Sequence, residues 1–342
     1  MDLISILTKL SIAPGPAGAE GQAAELAREL LLPYMDEVCF DALGNVIGTR
    51  LCGKPDAKRV LLEAHIDEVG FVVTGQRGGF LSLSNLGSMD PRLLPGTRLR
   101  VLTDTPLIGV IAFLPPHVLS STEMDKVTPL ADLVLDLGLS EEEAKAIPLG
   151  TPVVYDTDPL ALGDDLFCGK AMDNRASLAT LLLVLEKLPK VLDFDLIILA
   201  SVQEELGMRG VIPGGYQTAP DVAISLDVTF AHTPDTSLDE TLKLGGGAAI
   251  GIGAVLDRGL SGKLTDLARA HDIPHQFEVV SRRSSTTADM LQVSRAGVPT
   301  ALISLPLRYM HSPNELVNLR DMEAVATLLC AFLQDFGGDV HA

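Results

Sequence analysis

Five places along the chain set an acid or a histidine directly after an apolar or helix-opening run: His65-Ile66-Asp67, Asp173-Asn174-Arg175, Glu204-Glu205, Asp227 and His311. Singly they say little. A histidine at a strand end is more often an ordinary hydrogen-bonded side chain than a ligand, and an acidic pair such as Glu204-Glu205 is usually solvated. Together they suit metal chemistry. Gathering two histidines and several carboxylates in one crevice is costly unless cations compensate the charge. Two divalent ions about 3.5 to 4 Å apart need a bridging carboxylate and at least one further His or carboxylate pair each, with open positions for water and substrate. His65, Asp173, Glu205, Asp227 and His311 meet that count, and three carboxylates with a bridging hydroxide would offset the two ions. Glu204 is left over beside a ligand. Adjacent residues of an extended chain point in different directions, so Glu204 can face the water as general base while Glu205 binds metal.

Elements that bring these residues to one edge are legible too. LLEAHIDE, LIILASVQEE and VAISLDV each put their polar residues after the apolar run, and in a parallel sheet those ends converge on the ligand crevice. Arg59 to His65 is a continuous apolar run, as a central parallel strand requires. Residues 3 to 32 predict two short helices broken at Pro14-Gly15-Pro16. A strand and tight turn follow over Asp41 to Thr49, with Gly44-Asn45 as the turn. From about Glu68 to Leu162, short Val-, Leu- and Thr-rich segments alternate with Gly and Pro, which predicts a small antiparallel barrel or sandwich. The helix SEEEAKAI interrupts it, opened by a Ser140–Glu143 capping box. Beyond Asp164 the pattern predicts helix Ser177 to Leu188, strand Asp195 to Ala200, strand Val222 to Leu226 and helix Leu256 to His271. A strand near Phe277, helix Thr286 to Ala296, strand Thr300 to Ser304 and a last helix Leu319 to Phe336 follow. The expected fold is α/β: a doubly wound, mostly parallel sheet with helices on both faces, in residues 1–67 and 163–342, interrupted by an inserted small β-barrel-like domain in residues 68–162.

Composition removes other classes. The chain has 342 residues, 47% hydrophobic and 21% charged, enough to bury a sizeable core. Its net charge of −19 repels phosphate backbones and anionic lipid, so neither nucleic acid nor a membrane surface is expected as a partner. Cys39, Cys52, Cys168 and Cys330 are scattered with no CxxC pair, as in a reduced compartment. With no basic, apolar leader before Pro14 and no apolar run of membrane-spanning length, a cytoplasmic location is expected.

In order, AHIDEVGF, KAMDNRAS, SVQEELGMRG, ISLDVT and RYMHSPNE resemble the glutamyl-aminopeptidase or TET family of di-metal aminopeptidases, some of whose members carry endoglucanase labels. The resemblance runs from SIAPGPAGAEG to the last helix. It implies an α/β catalytic domain interrupted by a β-rich domain used in oligomer contacts, peptide substrates, two divalent ions (Zn, Co or Mn), and dimers that build a tetrahedral twelve-subunit shell. It also implies that Asp173 bridges the ions, that one takes His65 and Asp227, and that the other takes Glu205 and His311. Glu204 matches the catalytic base, Asp67 the acid that orients His65, and the Asp173-Asn174 peptide bond is expected to be cis.

Where the family commonly has Gly-Thr-Asp-Ala, this chain reads Ser285-Thr286-Thr287-Ala288, with Asp289 two positions on. Gly245-Gly246-Gly247 lacks the GK[ST] of a phosphate loop and suits a close backbone approach instead. His232 fits a loop, and Cys168 has no histidine partner that would make it a nucleophile. An acid-selecting pocket would need a cation, for which Arg282, Arg283 and Arg308 are candidates. Two other readings remain: a di-metal deacylase or carboxypeptidase-like amidohydrolase, and a glycosidase, against which stand the adjacency of Glu204 and Glu205 and the histidines. A metal-stabilised scaffold without catalysis is the non-enzymatic alternative.

Overall fold

The computed structural model describes residues 1–118, 120 and 126–336. Four strands lie parallel at the centre of an eleven-stranded sheet, in the order Asp195–Ser201, Arg59–His65, Val222–Phe230 and Thr300–Arg308. Antiparallel strands extend both sides: Val46–Arg50 and Glu37–Phe40 on one, Glu315–Asn318, Leu166–Gly169 and Leu160–Leu162 on the other. Ala248–Gly253 also pairs with Thr300–Arg308 and carries His275–Val280 as a parallel edge strand. The central run Arg59–His65, flanked by parallel strands on both sides, is buried on both faces beyond its first residue, which explains its unbroken apolar sequence.

Successive side chains of a strand alternate between faces, and here the two faces differ. On one, Val60, Leu62, Ala64, Ile198, Leu226 and Ile303 pack in a single core with the helices Leu3–Ile12, Gly21–Leu31, Met172–Lys187, Arg258–Ala270 and Leu319–Asp335. The other begins apolar, with Leu61, Ile197, Leu199 and Ala223 packed with Val211 of the helix Val211–Thr218 and Leu291 of Ala288–Leu291. Toward the carboxyl ends it turns polar: Glu63 and His65, Ser201, Ser225 and Asp227, Thr229, Ser304. That change of character along one face is what creates the site.

Glu63 is fully buried, and its carboxylate accepts hydrogen bonds from Ser201 Oγ at 2.6 Å, Ser225 Oγ at 3.1 Å and the Thr287 hydroxyl. Burial pushes its carboxyl up, and the hydroxyl donors pull against that shift. The departure at Ser285-Thr286-Thr287-Ala288 therefore has a physical partner. An acid at 287 would set a second buried carboxylate against Glu63, and two such groups cannot both ionise.

The inserted β-rich segment closes into a six-stranded barrel of Gly70–Arg77, Phe80–Leu86, Val134–Asp136, Leu107–Ile111, Arg98–Val101 and Pro152–Tyr155. It has its own core around Phe71, Leu81, Leu99, Leu135 and Tyr155. The helix Glu141–Lys145 carries the expected Ser140–Glu143 capping box, whereas Leu160–Leu162 joins the large sheet. Where the chain leaves the sheet for the barrel, Glu68 is buried and held by Lys170 Nζ at 2.7 and 2.8 Å, Arg175 Nη2 at 3.2 Å and the Gly15 N–H at 3.0 Å. Burial, opposed by Glu68, pushes Lys170 down to about 8.

Four strands of the large sheet escape sequence reading because they are short or glycine-rich: Glu37–Phe40, Leu166–Gly169, Ala248–Gly253 and Glu315–Asn318. The helix expected over Thr286 to Ala296 is reduced to Ala288–Leu291. Ser285 takes φ 58°, and the Ser284 and Ser285 N–H groups close on the Asp289 carboxylate at 2.8 and 3.1 Å, so a turn occupies its amino end. Gly245 and Gly247 donate N–H groups to Asp321 at 2.8 and 2.7 Å. At Gly247, φ +92°, a Cβ would stand 2.0 Å from the Pro274 carbonyl oxygen, the close approach its sequence suggests.

Thr287→Asp is expected to lower unfolding free energy by about 3–5 kcal/mol in urea titration, the scale of an uncompensated buried charge. Adding Glu63→Ser should recover at least about 1 kcal/mol of that loss; additive effects would refute the contact's importance.

Candidate metal centre

At the polar end of the sheet, two sets of donor atoms could each hold an ion, and each set lies within 4.8 Å: His65, Asp173 and Asp227, and Asp173, Glu205 and His311. Asp173 belongs to both. His65 Nε2 stands 3.1 Å from Asp173 Oδ1 and 3.9 Å from Asp227 Oδ1. His311 Nε2 stands 3.2 Å from Asp173 Oδ2 and 3.1 Å from Glu205 Oε1. The two oxygens of one carboxylate thus face opposite histidines.

Each donor reaches this point by a distinct local device. His65 ends its strand, and Asp227 lies in Val222–Phe230 with its own Oδ1 accepting the Val228 N–H at 2.8 Å. Asp173 precedes the regular part of its helix: its φ and ψ are −76° and 104°, and the Asp173-Asn174 peptide bond is cis, as the resemblance implies. Asn174 Nδ2 donates to the Leu226 carbonyl at 2.7 Å and ties that bend to the strand bearing Asp227. Glu204 and Glu205 sit in a turn that follows Gln203 at φ 56°, not in extended chain. Their divergence comes from the turn. His311 lies in a turn beyond Thr300–Arg308 at φ 60°.

Two carboxylates hold the backbone around the donors. Asp67 accepts the Glu204 N–H on Oδ1 and the Glu205 N–H on Oδ2, both at 3.0 Å, while its Oδ1 lies 3.4 Å from His65 Nδ1. Glu315 accepts the Asp173 N–H at 2.9 Å and the His311 N–H at 2.7 Å. Sequence reading assigned no role to Glu315, although it closes RYMHSPNE four residues after His311, nor to Glu63, which shares the parity of His65.

The electrostatics match a cation site. Burial and neighbouring acids push Asp227 well above the carboxylate range and Glu204 up to about 8 against the pull of His65, and burial raises Glu205 against the hydrogen bond from His311. Burial alone would raise Asp173, yet hydrogen bonds from His311 and His65 hold it low. Burial alone would lower His311, yet Asp173 and Glu205 push it up to about 11.

The donors and Glu204 line a cleft of about 310 Å³, walled further by Thr229, Phe230, Glu278, Ser284, Thr286 and Met310 among others. No lysine or arginine is among its lining residues; Arg308 Nε instead donates to the His232 carbonyl at 2.7 Å. His232 sits with Thr236 and Thr241 in its loop. Burial and then Glu315 push the Cys168 thiol up, away from the thiolate a nucleophile needs.

Known proteins are similar to this chain in sequence and fold. The chain is similar to a lysyl aminopeptidase of Pyrococcus furiosus, 31% identical over 337 residues and covering 96% of each chain. Its structure is similar to that of an aminopeptidase from the archaeon Desulfurococcus kamchatkensis, with TM-score 0.90, 33% identity and coverage of 97% of this chain and 94% of that one. It is also similar to a Pyrococcus horikoshii TET peptidase described as able to assemble into a tetrahedron or a large octahedral shell, with TM-score 0.85, 29% identity and coverage of 97% and 99%. Residues 44–328 match the model of the M42 glutamyl aminopeptidases, and the chain belongs to that peptidase family.

Proposed function

We propose that the chain is a metal-dependent aminopeptidase that removes N-terminal residues from peptides, with two divalent ions held by His65 and Asp227 on one side, Glu205 and His311 on the other, and Asp173 between them. The observation that carries this reading is the pair of donor sets sharing Asp173 in one cleft. Bound there, the ions would polarise the scissile carbonyl, lower the pKa of the attacking water and hold the free amino group of the substrate. Glu204 lines the same cleft and receives no hydrogen bond that would commit it elsewhere among the described residues. It takes the water proton and returns it to the leaving amine, the work of a general base. Asp67 keeps the His65 ring and the Glu204-Glu205 turn in one frame, since one carboxylate contacts all three.

An N-acyl deacylase would use the same donors, and a blocked N-terminus separates the two. Assembly through the barrel is part of the proposal: Ile108, Val110, Phe113 and Leu114 of that segment are exposed, between 43% and 65%, and the shell described for the P. horikoshii relative supports copies of this chain as partners. Among the described residues no helix is long and apolar enough to cross a membrane.

Glu204→Gln is expected to cut turnover of free aminoacyl-anilides by about 10²–10⁴-fold while two metals per chain remain by elemental analysis; retained activity would remove Glu204 from the mechanism. Asp67→Asn should weaken metal affinity about 10- to 100-fold in a chelator competition. Stripping the metals should abolish turnover and lower the melting temperature, with Zn, Co or Mn restoring both. An acetylated peptide should be inert, and its hydrolysis would favour the deacylase.

A further inference from the structure

Glu204 and Glu205 ride on the loop 202–210, between the strand Asp195–Ser201 and the helix Val211–Thr218. Its base is closed by the Gly210 N–H on the Val202 carbonyl at 3.0 Å and the Arg209 N–H on the Gln203 carbonyl at 3.1 Å. Four successive amides of the rising limb each find a side-chain acceptor from a distant segment. The Glu204 and Glu205 N–H groups go to Asp67, and the Gln203 N–H goes to Glu20 Oε1 at 3.2 Å. The first of the four, on Val202, goes to Asn45 Oδ1 at 2.9 Å. Asn45 is fully buried and also donates. Its Nδ2 reaches the Gly210 carbonyl at 2.7 Å and Asp41 Oδ2 at 2.5 Å, so one amide joins both limbs of the loop. Asp41 Oδ1 accepts the Leu43, Gly44 and Asn45 N–H groups at 2.9, 3.0 and 3.0 Å, which fixes the turn that presents Asn45. The fit is close: a Cβ on Gly210 would stand 2.2 Å from the Val202 carbonyl oxygen and 2.4 Å from Asn45 Oδ1. An aspartate here would accept from Val202 but turn an oxygen toward the Gly210 carbonyl and the Asp41 carboxylate. The position needs a donor and an acceptor on one short side chain, which asparagine supplies.

We propose that Asn45 is a positioning residue for the catalytic step: by holding both limbs of the loop at its base, it sets where the Glu204 carboxylate stands relative to the water it deprotonates. The proposal rests on the aminopeptidase reading with Glu204 as base. Asn45 is not among the residues that line the cleft, so it acts through the loop. His65, Asp173, Asp227 and His311 lie outside the loop and Glu205 is the one donor on it, so the ions stay when the clamp is lost, whereas the base moves with the loop. A misplacement of about 1 Å in a reacting group costs about a hundredfold in rate. That cost falls on kcat rather than KM, because substrate binding is left as it was.

The test measures turnover of free aminoacyl-anilides, metal content and hydrogen exchange on the metal-loaded full chain. Asn45→Ala is expected to lower kcat about 10- to 100-fold with KM within about twofold, while two metals per chain remain. Asn45→Asp, which lacks the donor, should be no better. Because Asn45 acts through Glu204, Asn45→Ala placed in a Glu204→Gln chain should cost the residual turnover less than about threefold; a purely structural role would cost the full factor in both backgrounds. Peptides covering 202–210 in the unaltered chain should exchange as slowly as the strand Asp195–Ser201, a measurement that needs no variant to fold. An unchanged kcat in Asn45→Ala, full activity in Asn45→Asp, equal losses in the two backgrounds, loss of metal together with activity, or exchange of the loop within seconds each overturns the role of Asn45 and leaves the aminopeptidase intact. No turnover of any free anilide by the unaltered chain overturns the aminopeptidase reading and this proposal with it.

Discussion

Buried carboxylates cannot all be ionised side by side without compensating charge, and this constraint organises the centre of the molecule. Asp173, Glu204, Glu205, Asp227 and Glu315 converge at the carboxyl edge of one sheet. Burial works against ionisation at every one of them, and only Asp173, gripped by two histidines, is held low. A packed hydrophobic centre would be the cheaper way to fill this space. Keeping the acids there makes sense when the cost is offset by cations that also do chemistry.

Placing such groups precisely falls to backbone contacts more than to side-chain packing. Asp67 and Glu315 each divide their two oxygens between N–H groups of the segments that present the donors. Charge-assisted bonds of this kind are short and directional. One carboxylate fixes the Glu204-Glu205 turn, the other fixes Asp173 relative to His311. Asp67 ties the Glu204-Glu205 turn to the segment that leaves Arg59–His65, and Glu315 ties Asp173 and His311 to the strand Glu315–Asn318.

Much of this was legible in sequence because strands Arg59–His65, Asp195–Ser201 and Val222–Phe230 announce themselves as apolar runs with polar ends. Their order in a parallel sheet then forces the ends together. What stayed hidden depended on alternation and on long-range contact. Glu63 lies inside an apolar run and looks like a strand residue, and only its shared parity with His65 marks it as facing the polar side. Its partners Ser201, Ser225 and Thr287 come from three distant segments. Glu315 sits in a quoted motif, but its task is to bind backbone N–H groups, which leaves no trace in residue spacing. The shortened helix at Ala288–Leu291 was obscured because its amino end is occupied by a turn closed on Asp289.

Three buried or half-buried acids outside the donor sets differ in how the chain satisfies them. Glu68 receives its counter-charge from Lys170 and Arg175, and Glu63 is enclosed by three hydroxyls. Both are satisfied from within the chain. Glu204 is not enclosed in this way, and it lines the cleft. An acid left partly unsatisfied at a cleft wall costs stability with no structural return unless something that binds in the cleft compensates it. The net charge of −19 does not make that distinction, since most acids are solvated on the surface; the distribution of partners around each buried carboxylate does.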